Sequence, residues 1–229
     1  MKKTITKTIY QKMQEKYGYL YPWPMTQKFK KQDYFKRLIT IVLSQNTSDE
    51  NALRAYKQLE QIMEVTPENL AKADIQVIKN AIRTGGLYNI KASRLQNIAK
   101  LVLNQFNGDL NKLLDLPLGK ARKTLIDISG VGKKTADVLL TTKHSHENII
   151  PVDTHMNRIA KRLGLVSSSA MYDETQNGLI DFFPDEYRDR GSALLWLLAK
   201  HTCQARKPKC YECPLTELCN YYQNTLDKM

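Results

Sequence analysis

The 229-residue chain lacks long hydrophobic stretches. Its longest uninterrupted apolar run, residues 193–199, has seven residues, whereas a membrane-spanning helix needs about 20. The segment MKKTITKTIYQKMQEK leads into no apolar region of the kind a signal peptide requires. The ten glycines and eight prolines show no fixed period, which excludes a collagen-like chain. With 42% hydrophobic and 25% charged residues, the composition is that of a globular protein. We therefore expect a soluble cytoplasmic protein.

Acidic residues are too few to balance the basic ones. The chain has 35 Lys and Arg against 23 Asp and Glu, which gives a net charge of +12 and a pI near 9.4. Residues 1–31 alone carry eight lysines against a single acid, Glu15. A surface this positive favours a polyanion, most often nucleic acid bound through its phosphates. Charge alone is equally consistent with a basic protein that has no such partner.

Strand patterns are absent as well, and helical periodicity dominates. Apolar residues recur at the i, i+3, i+4, i+7 spacing of a helix at Phe35, Leu38, Ile39 and Val42. Thr47 and Glu50 have the spacing of a capping box, which predicts that a helix begins there. Thr66-Pro67 is typical of an N-cap followed by proline at the first helical position. Further helices are predicted over 119–128, 133–143, 154–164, 171–182 and 187–201. These patterns predict an all-α fold.

Two composition shifts indicate domain boundaries. The segment 17–24 holds two prolines, which also restrict the residues before them, so a connector is expected here rather than regular helix. A polar stretch at 144–148 separates two apolar segments. A central domain between these breaks, with both chain ends outside it, is the organisation we expect.

Residues 128–136, Ile-Ser-Gly-Val-Gly-Lys-Lys-Thr-Ala, lie between two predicted helices. Gly130 and Gly132 permit a tight reversal, and the amides of such a turn can point at a phosphate. The spacing of a nucleotide-binding P-loop is missing. The segment therefore predicts a helix-hairpin-helix phosphate clamp, to which Gly130, Val131, Gly132 and Lys133 would contribute. An ordinary helix–helix turn is the alternative.

Lys134 occupies about the second position of the helix after this hairpin. The positive end of the helix dipole and the neighbouring Lys133 both disfavour a charged amine there. A neutral amine is what a lysine nucleophile requires. A lysine that only binds phosphate is the alternative that this motif by itself favours.

Asp153 begins another helical stretch, Val152-Asp153-Thr154-His155. Most aspartates at such a position serve only as N-caps. If its carboxylate faced Lys134, it could instead stabilise an oxocarbenium-like centre, as carboxylates do in glycoside hydrolysis.

All four cysteines lie in the last 27 residues, in the order C-x6-C-x2-C-x5-C. Such close spacing of cysteines indicates a metal site rather than scattered disulfides. Structural zinc commonly uses two close pairs of ligands, whereas Cys203, Cys210, Cys213 and Cys219 include only one. Four-cysteine ligation of a 4Fe–4S cluster fits better. Zinc, with help from His201, is the alternative.

Three cations, Arg206, Lys207 and Lys209, lie between the first two of these cysteines. Ligation at both ends would hold this loop in a fixed place. The cations could offset the charge of the cluster or bind DNA phosphates, and a solvated charge run is the alternative. Because no thiolate is left over, we expect a structural cluster.

Taken together, the motifs resemble the helix-hairpin-helix DNA glycosylases of the endonuclease III branch. The resemblance runs from about Tyr34 to Tyr222 and rests on five stretches in the family's order. They are Leu43-Ser44-Gln45-Asn46-Thr47, Gly86-Leu87-Tyr88-Asn89-x-Lys91-Ala92, Gly130-Val131-Gly132-x-Lys134-Thr135-Ala136, Val152-Asp153-Thr154-His155 and the cysteine array. The resemblance implies a six-helix barrel domain over 27–147 that carries the hairpin. It also implies an iron–sulfur cluster domain formed by 1–26 and 148–229.

The same resemblance implies a bifunctional DNA glycosylase with AP-lyase activity on oxidised pyrimidines. Lys134 falls on the Schiff-base lysine and Asp153 on the catalytic aspartate. The expected partner is double-stranded DNA with a damaged base or an abasic site, bound by a monomer that associates with the nucleoid. A mismatch-directed uracil or thymine glycosylase on the same scaffold is the second hypothesis. A non-catalytic DNA-binding module is the third.

Two departures from the family pattern bear on the site. The family commonly has Leu-Pro before the hairpin, where this chain has Ile128-Ser129. In the Ser-x-Gln segment, which in the family fills the gap left by an extruded nucleotide, the glutamine position is taken by Asn46, and Gln45 precedes it. Either residue could therefore make the DNA contact.

Overall fold

The computed structural model describes residues 4–20, 33–144 and 148–226, and every regular element in these ranges is helical. The predicted all-α class is thus confirmed. The α-helices are α1 (Lys7–Tyr17), α2 (Tyr34–Leu43), α3 (Asp49–Ile62), α4 (Pro67–Lys72), α5 (Ile75–Ala81), α6 (Tyr88–Phe106), α7 (Asn111–Leu114), α8 (Leu118–Ile126), α9 (Lys133–Leu140), α10 (Thr154–Leu163), α11 (Tyr172–Phe182), α12 (Asp185–His201) and α13 (Asn220–Leu226). Short 3₁₀ turns lie at Gly18–Leu20, Arg83–Gly85, Cys210–Glu212 and Thr216–Leu218. No helix in the described ranges has both the length and the apolarity to cross a bilayer.

Local capping chemistry determines where several helices begin. The Thr66 hydroxyl accepts a hydrogen bond from the Asn69 amide, and Pro67 takes the first helical position, as predicted. The expected start of α3 at Thr47 was wrong by one residue. Ser48 is the N-cap, and its hydroxyl accepts from the amide of Asn51. The Thr47–Glu50 spacing misled because serine caps as well as threonine and stands one position later.

The described residues fall into two compact units, one within Met25–His144 and the other within Met1–Pro24 and Ser145–Met229. In the first, which we call the hairpin unit, α2 packs against α3, α6 and α9. The long helix α6 also packs against α4 and α5, and α8 packs against α9. Apolar side chains that α2 buries here include Phe35, Leu38, Ile39 and Val42. This packing holds the turn between α8 and α9, which is the predicted hairpin.

The second unit, which we call the terminal unit, combines α1 with α10–α13. Helix α1 packs against α12, and α10 packs against α11, α12 and α13. Its core joins residues from both ends of the chain, such as Met13 from α1 with Ile159 and Leu198 from α10 and α12. The segment with the four cysteines follows α12 directly.

The predicted domain limits stay predictions. The limit at 26–27 lies outside the described residues, and the one at 147–148 lies at their edge. The predicted connector lies only partly within them. Tyr17 is the last residue of α1 and residues 18–20 form a 3₁₀ turn, while residues 21–24 lie outside.

An ion pair with a fully buried carboxylate fastens the two hairpin helices together. Asp137 on α9 is fully buried, and both of its oxygens accept from the guanidinium of Arg122 on α8. The Nε–Oδ1 distance is 2.7 Å and the Nη2–Oδ2 distance is 3.1 Å. A bidentate pair of this kind sets the angle between the helices as well as their separation.

We expect Asp137→Ala to lower the free energy of unfolding by about 3 kcal/mol, because it removes the buried partner of this ion pair and leaves the other uncompensated. The exposed pair between Glu50 and Arg54 on α3 is the matched control, and Arg54→Ala should cost less than about 0.5 kcal/mol. Chemical denaturation of each holoprotein measures both. Equal losses in the two variants would contradict the assignment.

Candidate active site

A cavity of about 570 Å³ opens at the hairpin. Its lining includes the α2–α3 loop, the hairpin itself and the start of α9. Six of the predicted site residues line it: Gln45, Asn46, Gly130, Val131, Gly132 and Lys134. The cavity therefore brings together, within one unit, residues that lie some 90 positions apart in the chain.

The hairpin depends on the absence of a side chain at Gly130. Its φ of +89° lies in a region that L-residues rarely adopt. A Cβ there would also come within 2.3 Å of the side chain of Arg94. The turn is closed by the Val131 amide, which donates to the Ile128 carbonyl at 2.9 Å, and the Val131 side chain is buried. Val131 thus contributes to the hairpin mainly by forming its turn.

The N-terminus of α9 faces the same cavity. Gly132 is its N-cap and makes no side-chain cap hydrogen bond. The first-turn amides and the helix dipole suit such an end to a phosphate oxygen. Lys133 and Lys134 are the first two helical residues, and both are exposed. The predicted place of Lys134 at the second helical position is confirmed.

Gln45 holds the loop and the hairpin together. Its amide nitrogen donates to the Gly130 carbonyl and to the Thr135 hydroxyl, each at 3.0 Å. Its amide oxygen accepts from Nη1 of Arg94, also at 3.0 Å. Both N–H groups and the oxygen are therefore occupied by protein partners. Asn46, by contrast, has an exposed side chain, and its backbone is in the left-handed region with φ +53°.

The buried Lys91 holds the end of α2, where the loop with Gln45 and Asn46 begins. Only 1% of its surface is exposed, and its ammonium donates to the carbonyls of Leu43 at 2.7 Å and Gly85 at 2.8 Å. Leu43 is the last residue of α2, where a cation is favourable. Burial, with a smaller effect of Arg94, lowers the pKa of Lys91. The lysine ties the end of α2 to the turn before α6.

Asp153 lies in the terminal unit, at the N-terminus of α10. Its Oδ1 accepts from the Met156 amide at 2.8 Å, which confirms the predicted N-cap. Its Oδ2 accepts from the indole Nε1 of Trp196 on α12 at 2.7 Å. Lys134 and Asp153 belong to different units, and their pairing stays a prediction.

The four cysteines line one small cavity in the same unit. None of the four is in a disulfide. Burial, and then repulsion by the other three sulfurs, raises the pKa of Cys213 to about 11. Burial, and then repulsion by the sulfurs of Cys203 and Cys219, raises the pKa of Cys210. The described residues form no group of three or more His, Cys, Asp or Glu side chains arranged for a single metal ion. Four thiols that line one cavity fit a cluster whose iron ions would hold them as thiolates.

Arg162 on α10 supports this centre. Its Nη1 lies 3.3 Å from Sγ of Cys203 and also donates to the Gln204 carbonyl at 2.7 Å. Its Nη2 donates to the Ala205 carbonyl at 3.1 Å. The guanidinium also stacks on the ring of Tyr221, 4.5 Å from its centroid. One residue therefore holds the cysteine loop and contacts a ligand sulfur.

The basic loop leaves this centre toward solvent. Arg206, Lys207 and Lys209 are all exposed, and Lys207 is left-handed with φ +50°. His201, the alternative zinc ligand, is not among the residues that line the cysteine cavity. The loop has the exposure that binding a polyanion requires.

Sequence patterns missed four supporting residues: Lys91, Arg94, Arg162 and Trp196. Lys91 stands in a motif that assigns it no role, and the others stand in no motif. Each acts on a partner at least 41 positions away in the chain. Of the four, only Trp196 could have been recognised from the sequence. It places an indole N–H in an otherwise aliphatic run, and a buried indole N–H usually finds a hydrogen-bond acceptor.

Known proteins share this fold and the iron–sulfur segment. Residues 39–184 match the family model of the HhH-GPD superfamily base excision DNA repair proteins, which defines the class. Residues 203–219 match the iron-sulfur binding domain of endonuclease III. The endonuclease III of Sulfolobus acidocaldarius is 35% identical over 86% of each chain. The chain therefore belongs to the endonuclease III family.

Solved structures agree. A trapped covalent intermediate of endonuclease III with DNA has a TM-score of 0.77 at 25% identity, over 97% of this chain and 100% of that one. A thermostable thymine-DNA glycosylase has a TM-score of 0.71 at 22% identity, over 95% and 96% of the two chains, and that likeness concerns the fold. The expected fold, a six-helix barrel domain with the hairpin together with an iron–sulfur cluster domain, is confirmed.

Family membership also confirms the expected activity and cofactor. The chain is a DNA glycosylase with AP-lyase activity in base excision repair. Its cofactor is a 4Fe–4S cluster, which Cys203, Cys210, Cys213 and Cys219 would hold. The alternatives of a zinc site and of a non-catalytic module are not supported.

We expect Cys213→Ser to lose the visible absorption of the cluster and to destabilise the terminal unit, because a cysteine thiolate is replaced by a poor iron ligand. Thr216 lines the same cavity, so Thr216→Ala is the matched control and should keep its colour. Absorption spectra with iron and sulfide analysis measure this. A colourless wild-type protein that contains zinc would contradict the cofactor assignment.

Proposed function

We propose that Lys134 is the nucleophile and Asp153 the catalytic carboxylate with which this enzyme removes oxidised pyrimidines from duplex DNA. The observation that carries the proposal is the exposed amine of Lys134 at the N-terminus of α9, on the wall of the hairpin cavity. In a family of DNA glycosylases with lyase activity, this is the amine best placed to meet a deoxyribose.

The phosphates of the DNA backbone are the natural ligands of the hairpin. Backbone amides at Gly130, Gly132 and Lys133 would bind one phosphate, with the α9 dipole aligned toward it. In the terminal unit, the exposed Arg206, Lys207 and Lys209 would bind others, which the net charge of +12 supports. These contacts carry no base sequence information, as a repair enzyme that scans any DNA requires.

The reaction needs an extruded nucleotide, because C1′ is inaccessible inside the duplex. The lone pair of the Lys134 amine would form a bond to C1′. The bond from C1′ to the base breaks, and the base leaves with the bonding electrons and takes up a proton. The sugar ring opens to give a Schiff base between C1′ and the lysine. Loss of a proton from C2′ then expels the 3′ phosphate by β-elimination, and the strand is cut.

Asp153 would act through its charge. Positive charge builds up on the sugar as the base departs, and a fixed carboxylate stabilises it. It could also accept a proton from the attacking amine. Both roles require an oriented carboxylate, and hydrogen bonds hold both of its oxygens.

Asn46 is the better candidate for the contact in the gap left by the extruded nucleotide. The hydrogen-bonding groups of Gln45 are engaged with Gly130, Thr135 and Arg94, whereas Asn46 is exposed at the edge of the cavity. We propose that Gln45 acts on DNA through the hairpin that it holds.

The partner of the enzyme would be double-stranded DNA with a damaged base or an abasic site, bound by a monomer at the nucleoid.

Borohydride reduction should trap a covalent adduct between the enzyme and abasic-site DNA, because it converts the Schiff base to a stable amine. Lys134→Ala should abolish the adduct. The neighbouring Lys133 is also exposed, so Lys133→Ala is the matched control and should still trap, with weaker DNA binding. Gel electrophoresis of the adduct is the measurement. Undiminished trapping by Lys134→Ala would assign the nucleophile to another residue.

A panel of duplexes tests the substrate. We expect single-turnover excision to be faster on duplexes with an oxidised pyrimidine than on uracil or thymine opposite guanine. The two hypotheses predict opposite orders of rate constants on the same enzyme preparation. An abasic duplex serves as the control that the lyase step is intact. Faster excision from mismatches would favour a mismatch-directed glycosylase.

A further inference from the structure

Both oxygens of Asp153 are engaged by groups of its own unit. The Met156 amide that donates to Oδ1 belongs to α10, the helix that Asp153 caps. The indole of Trp196 that donates to Oδ2 belongs to α12, 43 positions later in the chain. An N-cap needs only the first of these bonds. The second is additional and comes from a different helix.

Trp196 stands out from the run that contains it. Its neighbours Leu195 and Leu197 are buried in the core of the terminal unit, whereas Trp196 is half-buried and turned to the N-terminus of α10. A leucine at 196 would continue the run without an N–H group. The placement of an indole here therefore supplies a donor at a specific point.

The surroundings of the ring strengthen that donor. The ammonium of Lys200, one turn later on α12, lies 4.9 Å from the ring centroid of Trp196. The ring centroids of His155 and Trp196 lie 6.0 Å apart, and the planes of the two rings meet at 66°. A cation over the face draws electron density from the ring, and the indole N–H then donates more strongly to a carboxylate.

From this geometry we propose that Trp196 is a positioning residue that fixes the orientation of the Asp153 carboxylate. The cap bond alone holds Oδ1, and the carboxylate can still turn about its Cβ–Cγ bond. The indole bond fixes the position of Oδ2 and thus the plane of the group. The inference rests on the proposed catalytic role of Asp153. It adds that α12 maintains the geometry on which that role depends.

Trp196→Phe in the cluster-loaded enzyme is the direct test, because phenylalanine keeps an aromatic ring and removes the N–H. We expect the single-turnover rate constant to fall on the order of 10-fold, short of the ~100-fold that a 1 Å misplacement can cost. The dissociation constant for the same duplex should not change. Tyr187→Phe is the matched control on α12, since Tyr187 stacks on Tyr10, and it should react at the wild-type rate. Trp196→His, which keeps a ring N–H, should recover part of the lost rate.

A double-mutant cycle with Asp153→Asn separates the possible outcomes. If Trp196 acts through the carboxylate, Trp196→Phe should cause no further loss in the Asp153→Asn background. An equal loss in both backgrounds, a wild-type rate for Trp196→Phe, or no recovery in Trp196→His would overturn the inference. A fully active Asp153→Asn enzyme would overturn the catalytic role of Asp153 instead, so the two failures are distinguishable. Denaturation of each variant shows whether a loss of rate merely follows a loss of stability.

Discussion

The hairpin cavity depends on the side chain of Gln45 more than on any other interaction. One amide joins the loop after α2, the carbonyl of Gly130, the hydroxyl of Thr135 and the guanidinium of Arg94. A glycine turn has too few side-chain contacts to maintain its shape. The turn is instead held by Gln45 and by the ion pair between Arg122 and the fully buried Asp137. Both also hold the start of α9, where Lys134 is exposed.

A related constraint explains the two-residue segment Gln45-Asn46. The segment leaves α2 where Lys91 binds the Leu43 carbonyl, and it turns through a left-handed residue at Asn46. Adjacent residues in such a turn point in different directions. One side chain therefore supports the hairpin while the other is exposed at the edge of the cavity.

Residues whose role depends on their neighbours in the chain could be predicted from the sequence. Residues whose partners lie far away in the chain could not. Thr66, Asp153 and Gly130 were identified because a cap or a tight turn depends on residues within a few positions. The four cysteines were identified because their spacing is itself the signal. Thr47 failed as the start of α3 because Ser48 beside it caps equally well. Arg94, Arg162 and Trp196 were missed because their partners lie far away in the chain, and no local pattern records such a contact.

The terminal unit is built from both ends of the polypeptide, since α1 packs against α12. During synthesis, the hairpin unit is complete before α12 has left the ribosome. Domains generally fold as they emerge, so α1 cannot bury Ile9, Met13 and Tyr17 against α12 until that helix has been made. All four cysteines follow α12 in the chain, so the complete set of cluster ligands becomes available only after that helix.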